Sequence, residues 1–285
     1  MNIEGVGEVQ VRFGFPEYWE HAYQQYSAFL ERAPRLQDGL NGVTNRSYEN
    51  VGPLEKVILN LSMLVGVGLV EVVTLVCNGL GRGAMKVVRG MIGNAINAEY
   101  LRLNPAECDD YMEWHWIEQH RLYIWMKGRS PQQLSNVPFE TIKASEAAYE
   151  RARSRFEYAT PKGERKLRAR WCTNSLDVRA QQTGFAETYR AVHPIACQIL
   201  HGTVGGLFKY FDVGVDEHRI AAPPSDTWGR EALVAGHECA LRALDTVCKT
   251  FNVEPEPSLE TLGKDFMAIW GKPQQKAGGP PEELT

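Results

Sequence analysis

Residues 57–76 read VILNLSMLVGVGLVEVVTLV, a run as long as a membrane span, and the fold turns on whether it crosses a bilayer or fills a core. The run contains Asn60, Ser62, Glu71 and Thr74. A carboxylate near the middle of a lone span is expensive, and no aromatic belt or Lys/Arg flank marks its ends. The stretch therefore reads as the buried core helix of an all-α protein, with no stable membrane insertion expected. Pro53 is placed to begin this helix, and the cluster Asn78-Gly79-Leu80-Gly81-Arg82-Gly83 is placed to end it. Ala84 to Leu103 then reads as a second helix, stopped by Asn104-Pro105. The two should form an antiparallel hairpin.

The same punctuation organises the rest of the chain. Pro16 opens a helix in which Tyr18, Trp19, Ala22, Tyr26 and Phe29 fall at helical spacing, and Pro34 closes it. Gly39 to Gly52 reads as an irregular connection. Pro105 begins PAECDDYMEWHWIEQHRLYIWMK, acidic in its first turn and basic in its last, as the helix dipole favours. A charged helix is predicted from Phe139 to near Tyr158, then a basic connection, then a helix around Thr173 to Gln182. Gly184 separates this from the helix carrying YRAVHPIACQILH (189–201). The segment 209–226 reads as an exposed loop, and Asp226 as the cap of a long helix reaching Phe251. A last helix spans Leu259 to Trp270. The prediction is one all-α bundle of about seven to nine helices over residues 15–270, with a disordered Pro/Gly-rich tail at 271–285.

At 285 residues the chain is long enough to bury roughly three quarters of its unfolded surface, so neither disulfides nor a structural metal are needed. With 44% hydrophobic and 23% charged residues and a net charge of -4, it has the composition of an ordinary globular protein. The six cysteines are scattered and form no CxxC pair. They are expected to be reduced thiols in a cytoplasmic protein, and the N-terminus carries no signal-peptide pattern.

Phe185, Tyr189, His193, Cys197 and His201 form an unbroken i, i+4 row. Such a row can supply metal ligands or a thiol beside a histidine base, or it can face a core with its polar tips hydrogen-bonded. Pro194 weakens the ligand reading, since it should kink the helix after His193. No cofactor and no metal is therefore expected. His201 should point into the bundle and bond a residue of the Arg89 to Tyr100 helix. Glu-x-x-His, HExxH and the zinc-deaminase pattern are all absent from the sequence. The aromatic density of Tyr111, Trp114, Trp116, Tyr123 and Trp125 points to a core or to a subunit contact. Residues 149–170 carry eight Lys/Arg against three Glu, which is either a strip for RNA phosphates or a solvated helix end.

Arg230 and His237, seven positions apart on one helix, match the loose Arg-x4-6-His signature of the HEPN ribonucleases. That resemblance implies that Arg230 holds a scissile phosphate while His237 transfers a proton, without a metal.

A broader resemblance rests on GRGAMKVVRGMIGNAINAEYLRLNP (81–105), Trp171 and GFAETYRAVHPIACQILHG (184–202). These are similar to an uncharacterised bacterial all-helical family of the domain-of-unknown-function series (DUF5677-like). Arg89, Tyr100 and His201 match its pattern. Gly93 stands at its Glu, His193 at its second Tyr, and Cys197 at its Ser. The resemblance implies the bundle over roughly residues 55–210 and carries no activity.

Three readings follow. The first is a polar pocket built from Arg89, Glu99, Tyr189 and His201. The second is a HEPN-like ribonuclease or defence protein using Arg230 and His237. The third is a non-enzymatic interaction module, homodimeric through the Trp-rich helix.

Overall fold

The computed structural model describes residues 2–3, 7–8, 16–130, 132, 135, 137–203 and 227–271. Among these are ten α-helices: α1 (Pro16–Leu30), α2 (Ala33–Thr44), α3 (Pro53–Cys77), α4 (Gly81–Leu103), α5 (Cys108–Arg129), α6 (Phe139–Phe156), α7 (Leu176–Gln182), α8 (Ala186–Leu200), α9 (Gly229–Phe251) and α10 (Leu259–Trp270). The strands are short antiparallel pairs, β1 (Asn2–Ile3) with β2 (Gly7–Glu8) and β3 (Glu157–Ala159) with β4 (Arg165–Leu167). The architecture is all-α.

The deciding stretch forms α3, at the centre of the bundle against α4 and α9. Its buried face is Ile58, Leu61, Val65, Leu69, Val72 and Val76, while Glu71 is exposed. Of the polar side chains that made a span costly, Asn60 and Thr74 are satisfied within the helix, while Ser62 Oγ is buried without a partner among the described residues. Asn60 Nδ2 donates to the Lys56 carbonyl and Thr74 Oγ1 to that of Val70. Met63, Leu64, Val67 and Val70 remain exposed on the opposite side. Among the described residues α3 is the one helix long and apolar enough to cross a membrane.

The α3–α4 hairpin is built on small residues. Gly79 has φ of +67°, and around it Leu80 N–H bonds the Leu75 carbonyl at 2.8 Å and Gly79 N–H that of Val76 at 2.9 Å. This is the paired capping pattern that a left-handed glycine allows at a helix end. Further along α3, a Cβ on Gly68 would sit 2.6 Å from Met91 Cγ. The helices approach that closely because Gly68 has no side chain.

Three boundaries differ from the sequence expectations. Pro34 opens α2 as well as following α1, since proline fits a first helical turn. Consequently Gly39 to Thr44, expected to be irregular, is helical, and its Leu40 and Val43 are buried. The basic connection after α6 folds into the β3–β4 hairpin. Pro194 does not break α8: the ring lies on the exposed side, where the lost N–H costs least. The expected loop at 209–226, the Asp226 cap and residues 272–285 of the tail lie outside the described residues.

Two hydrophobic clusters result. The larger is formed by α1–α4 and α7–α10, with Phe29, Met85, Ile92, Phe185 and Leu244 buried in it. The smaller gathers Tyr100, Trp114, Ile117, Phe156 and Trp171 where the end of α4 meets α5 and α6. Of the Trp-rich helix α5, Trp114 is buried in this cluster while Trp125 is 52% exposed.

Candidate functional site

Two contacts fix how α8 lies on α4. Arg89 Nε donates to Cys197 Sγ at 3.1 Å. At the other end, Arg179 Nη1 donates to Asn97 Oδ1, and Arg179 belongs to α7, which leads directly into α8. The helices are therefore antiparallel, and the row Arg89, Gly93, Asn97 of α4 faces the row Tyr189, His193, Cys197 of α8. The i, i+4 stripe in the sequence is thus one face, as helical spacing requires.

Within this seam the Cys197 sulfur lies 3.6 Å from His193 Nδ1. The Tyr189 ring stacks on the His193 ring, with centroids 4.6 Å apart and planes at 27°. Burial, and secondarily the Arg89 charge, pulls the His193 pKa below its ordinary value. Its imidazole is therefore neutral at pH 7 and able to take a proton. Burial, and then Asp177, raises the Tyr189 phenol. Cys197 is half-buried, whereas Cys77, Cys108, Cys172, Cys239 and Cys248 are buried. A Cβ added to Gly93 meets nothing within 4 Å, which leaves open space on α4 one turn from Arg89.

Glu99 and His201 lie apart from this group. Glu99 is held by both Arg102 nitrogens, Nε and Nη2, at 2.7 Å each, and by Thr246 Oγ1 at 3.0 Å. It does not meet Arg89. The expectation that His201 points into the bundle is corrected: His201 is exposed. It is the cap of α8, followed by Gly202 at φ +59°, which turns the chain off the helix before a fifth residue can join the row. Of the first proposed pocket, Arg89 and Tyr189 share the seam, with His193 and Cys197 completing it.

Arg230 and His237 share a face of α9, and both meet Trp270. The Arg230 guanidinium lies 5.9 Å from the Trp270 ring centre. Trp270 Nε1 donates to His237 Nδ1 at 3.0 Å. His237 is 2% exposed and packed by Phe29 and Phe266. Burial brings its pKa down to about 4, against a smaller opposing pull from Asp265. It is a neutral core histidine, sealed by α10.

A further polar network escaped the sequence. Tyr100 Oη donates to Glu107 Oε1 at 2.7 Å and accepts from Asn174 Nδ2 at 3.0 Å. The Cys172 sulfur reaches Glu107 Oε2 at 3.1 Å. Burial first, then the bonds to Cys172 and Glu107, raise the Tyr100 phenol against an opposing effect of Asn174, and burial raises the Cys172 thiol. Arg179, 6% exposed, lies over the Trp171 ring at 4.9 Å, and its Nε has no partner. Burial lowers its pKa. Glu107 and Cys172 stand 65 positions apart and Tyr100 and Asn174 stand 74 apart, beyond any local spacing rule.

Helical hairpins carrying a half-open polar seam define the class of protein. The chain belongs to a family of unknown function (DUF5677), whose model matches residues 56–219, a span that includes the whole of the α4–α8 seam. Neither a curated protein nor a solved structure matches the chain.

Proposed function

We propose that the α4–α8 seam is a thiol-dependent acyl-transfer site, with Cys197 as nucleophile, His193 as its base and Arg89 as the holder of negative charge. The observation that carries this reading is one sulfur with a guanidinium N–H at 3.1 Å and a neutral imidazole nitrogen at 3.6 Å. That set has the parts of an activated thiol. The sulfur also lies 3.9 Å from His193 Nε2, so it sits beside the ring rather than on one nitrogen's lone pair, and the imidazole has to turn about its Cβ–Cγ bond to take the proton.

The chemistry is balanced within the seam. His193 Nδ1 takes the thiol proton as Sγ bonds to an acyl carbon. The leaving group departs with that proton, and water then hydrolyses the thioester to restore the thiol. Arg89 has no carboxylate partner among the described residues, so it is available to an anionic acyl group. The space beside Gly93 admits that group.

The ribonuclease alternative using Arg230 and His237 draws less from the geometry. His237 would first have to lose Trp270 and the α10 packing before a phosphate reached it.

The test uses nitrophenyl hemisuccinate. The expected result is a burst approaching one equivalent of nitrophenolate, with the acyl group on the peptide containing Cys197. Cys197→Ser and His193→Ala should abolish the burst while Tm moves by only a few degrees. Acylation of another residue, or a burst unchanged in Cys197→Ser, contradicts the assignment.

A further inference from the structure

The eight basic side chains of residues 149–170 divide into two groups. Arg153 pairs with Glu150 and Glu157, Arg155 with Asp110, Arg165 with Glu157, and Lys166 with Glu164. Arg151, Lys162, Arg168 and Arg170 have no carboxylate partner among the described residues, and of these four Arg168 and Arg170 stand close together in the chain. These two line a surface cleft of about 400 Å³, together with Tyr158, Ala169, Cys172 and Thr173. The size lies within the range of small-molecule sites.

The cleft is fixed from behind. Arg168 N–H bonds the Phe156 carbonyl at 2.9 Å, and the Arg168 carbonyl accepts from Arg121 Nη2 at 2.9 Å. Its floor, Cys172, is held by Glu107, whose other oxygen is taken by Tyr100. The half-buried Glu107 carboxylate is thus already engaged. Behind Trp171 lies the buried Arg179 with its unpartnered Nε. After burial, the Arg170 charge also acts to lower the Arg179 pKa. Glu107 offsets this only in part, and like charges held close together are a cost that a bound anion relieves. At the rim, Tyr158 is 48% exposed, an aromatic face open to stacking.

We infer that this cleft binds a nucleotide, with its phosphate on Arg168 and Arg170 and its base against Tyr158. Arginine is suited to forked phosphate contacts, and base stacking on an aromatic ring needs no sequence readout. The same chemistry is offered by a free nucleotide and by a unit of single-stranded RNA. The site is separate from Cys197 and does not rest on the acyl-transfer reading.

The experiment measures fluorescence anisotropy of a labelled twelve-nucleotide single-stranded RNA over a salt series, with AMP and inorganic phosphate as competitors. Binding is expected to weaken at least tenfold in the double variant Arg168→Gln with Arg170→Gln. Its log–log salt slope should fall by about two relative to the unaltered chain. Tyr158→Ala should weaken binding by about fivefold or more, and Tyr158→Phe should restore it. The double variant Arg151→Gln with Lys162→Gln, exposed basic residues away from the cleft, should bind as the unaltered chain does. Competition by AMP at comparable concentration identifies free nucleotide as the source. RNA binding that AMP does not displace identifies the strand. Binding of neither RNA nor AMP, equal binding by the Arg168/Arg170 variant, or phosphate competing as well as AMP would overturn the inference.

Discussion

The α4–α8 seam and the α9–α10 contact each hold a histidine, an arginine and aromatic rings, yet they use them in opposite ways. In the seam, His193 stacks on Tyr189 and borders a half-buried sulfur, with open space one turn away at Gly93. Between α9 and α10, His237 spends its Nδ1 on Trp270 and is walled in by Phe29 and Phe266. Burial lowers both imidazole pKa values, more strongly at His237. The difference lies in access. A perturbed histidine marks a functional site only where a reactive neighbour and room for a ligand accompany it; otherwise it is part of the core. The two regions should therefore answer to different measurements, one chemical and one thermodynamic.

The largest expected effect is on stability at the sealed site. His237 has a folded pKa of about 4 against roughly 6.5 in the unfolded chain. Between those values the unfolded state binds more protons, so stability falls as pH drops through that window. The contribution is full above about pH 6.5, and by pH 4 about 3 kcal/mol of it is lost. Urea titrations from pH 7 to pH 4 should show this slope, and His237→Leu should flatten it. An unchanged slope in that variant would mean that His237 is not sealed.

The smallest expected effect is at the end of the seam. His201→Ala should change unfolding free energy by no more than about 0.5 kcal/mol, as for an exposed residue without a special role. A loss of about 2 kcal/mol, typical of stranded buried partners, would return His201 to the bundle interior.

Much of this comparison was legible in the chain, though unevenly. The apolar run at 57–76, its proline start and its glycine stop located α3 and the hairpin, because those signals act locally. The i, i+4 stripe likewise gave the α8 face. Pro34, read as a stop, is also a helix start, and that ambiguity hid α2. His201 continued the stripe on paper, but Gly202 ended the helix beneath it. What the sequence could not supply was the partner of each polar group. Arg89 finds Cys197 across 108 positions, and Arg179 finds Asn97 across 82. Such pairings are chosen by how helices pack, not by spacing along one of them. The same holds for the basic segment, whose charge count was visible while its division into paired and unpaired arginines was not.

The central claim, that Cys197 sits in an activating seam, is tested most directly by alkylating the folded protein with iodoacetamide at pH 7 and following each cysteine by peptide mass spectrometry. Cys197 should react at least tenfold faster than any of the other five cysteines, and Arg89→Met should slow it severalfold while leaving the others unchanged. Equal rates across the cysteines, or a Cys197 rate indifferent to Arg89→Met, would contradict the account.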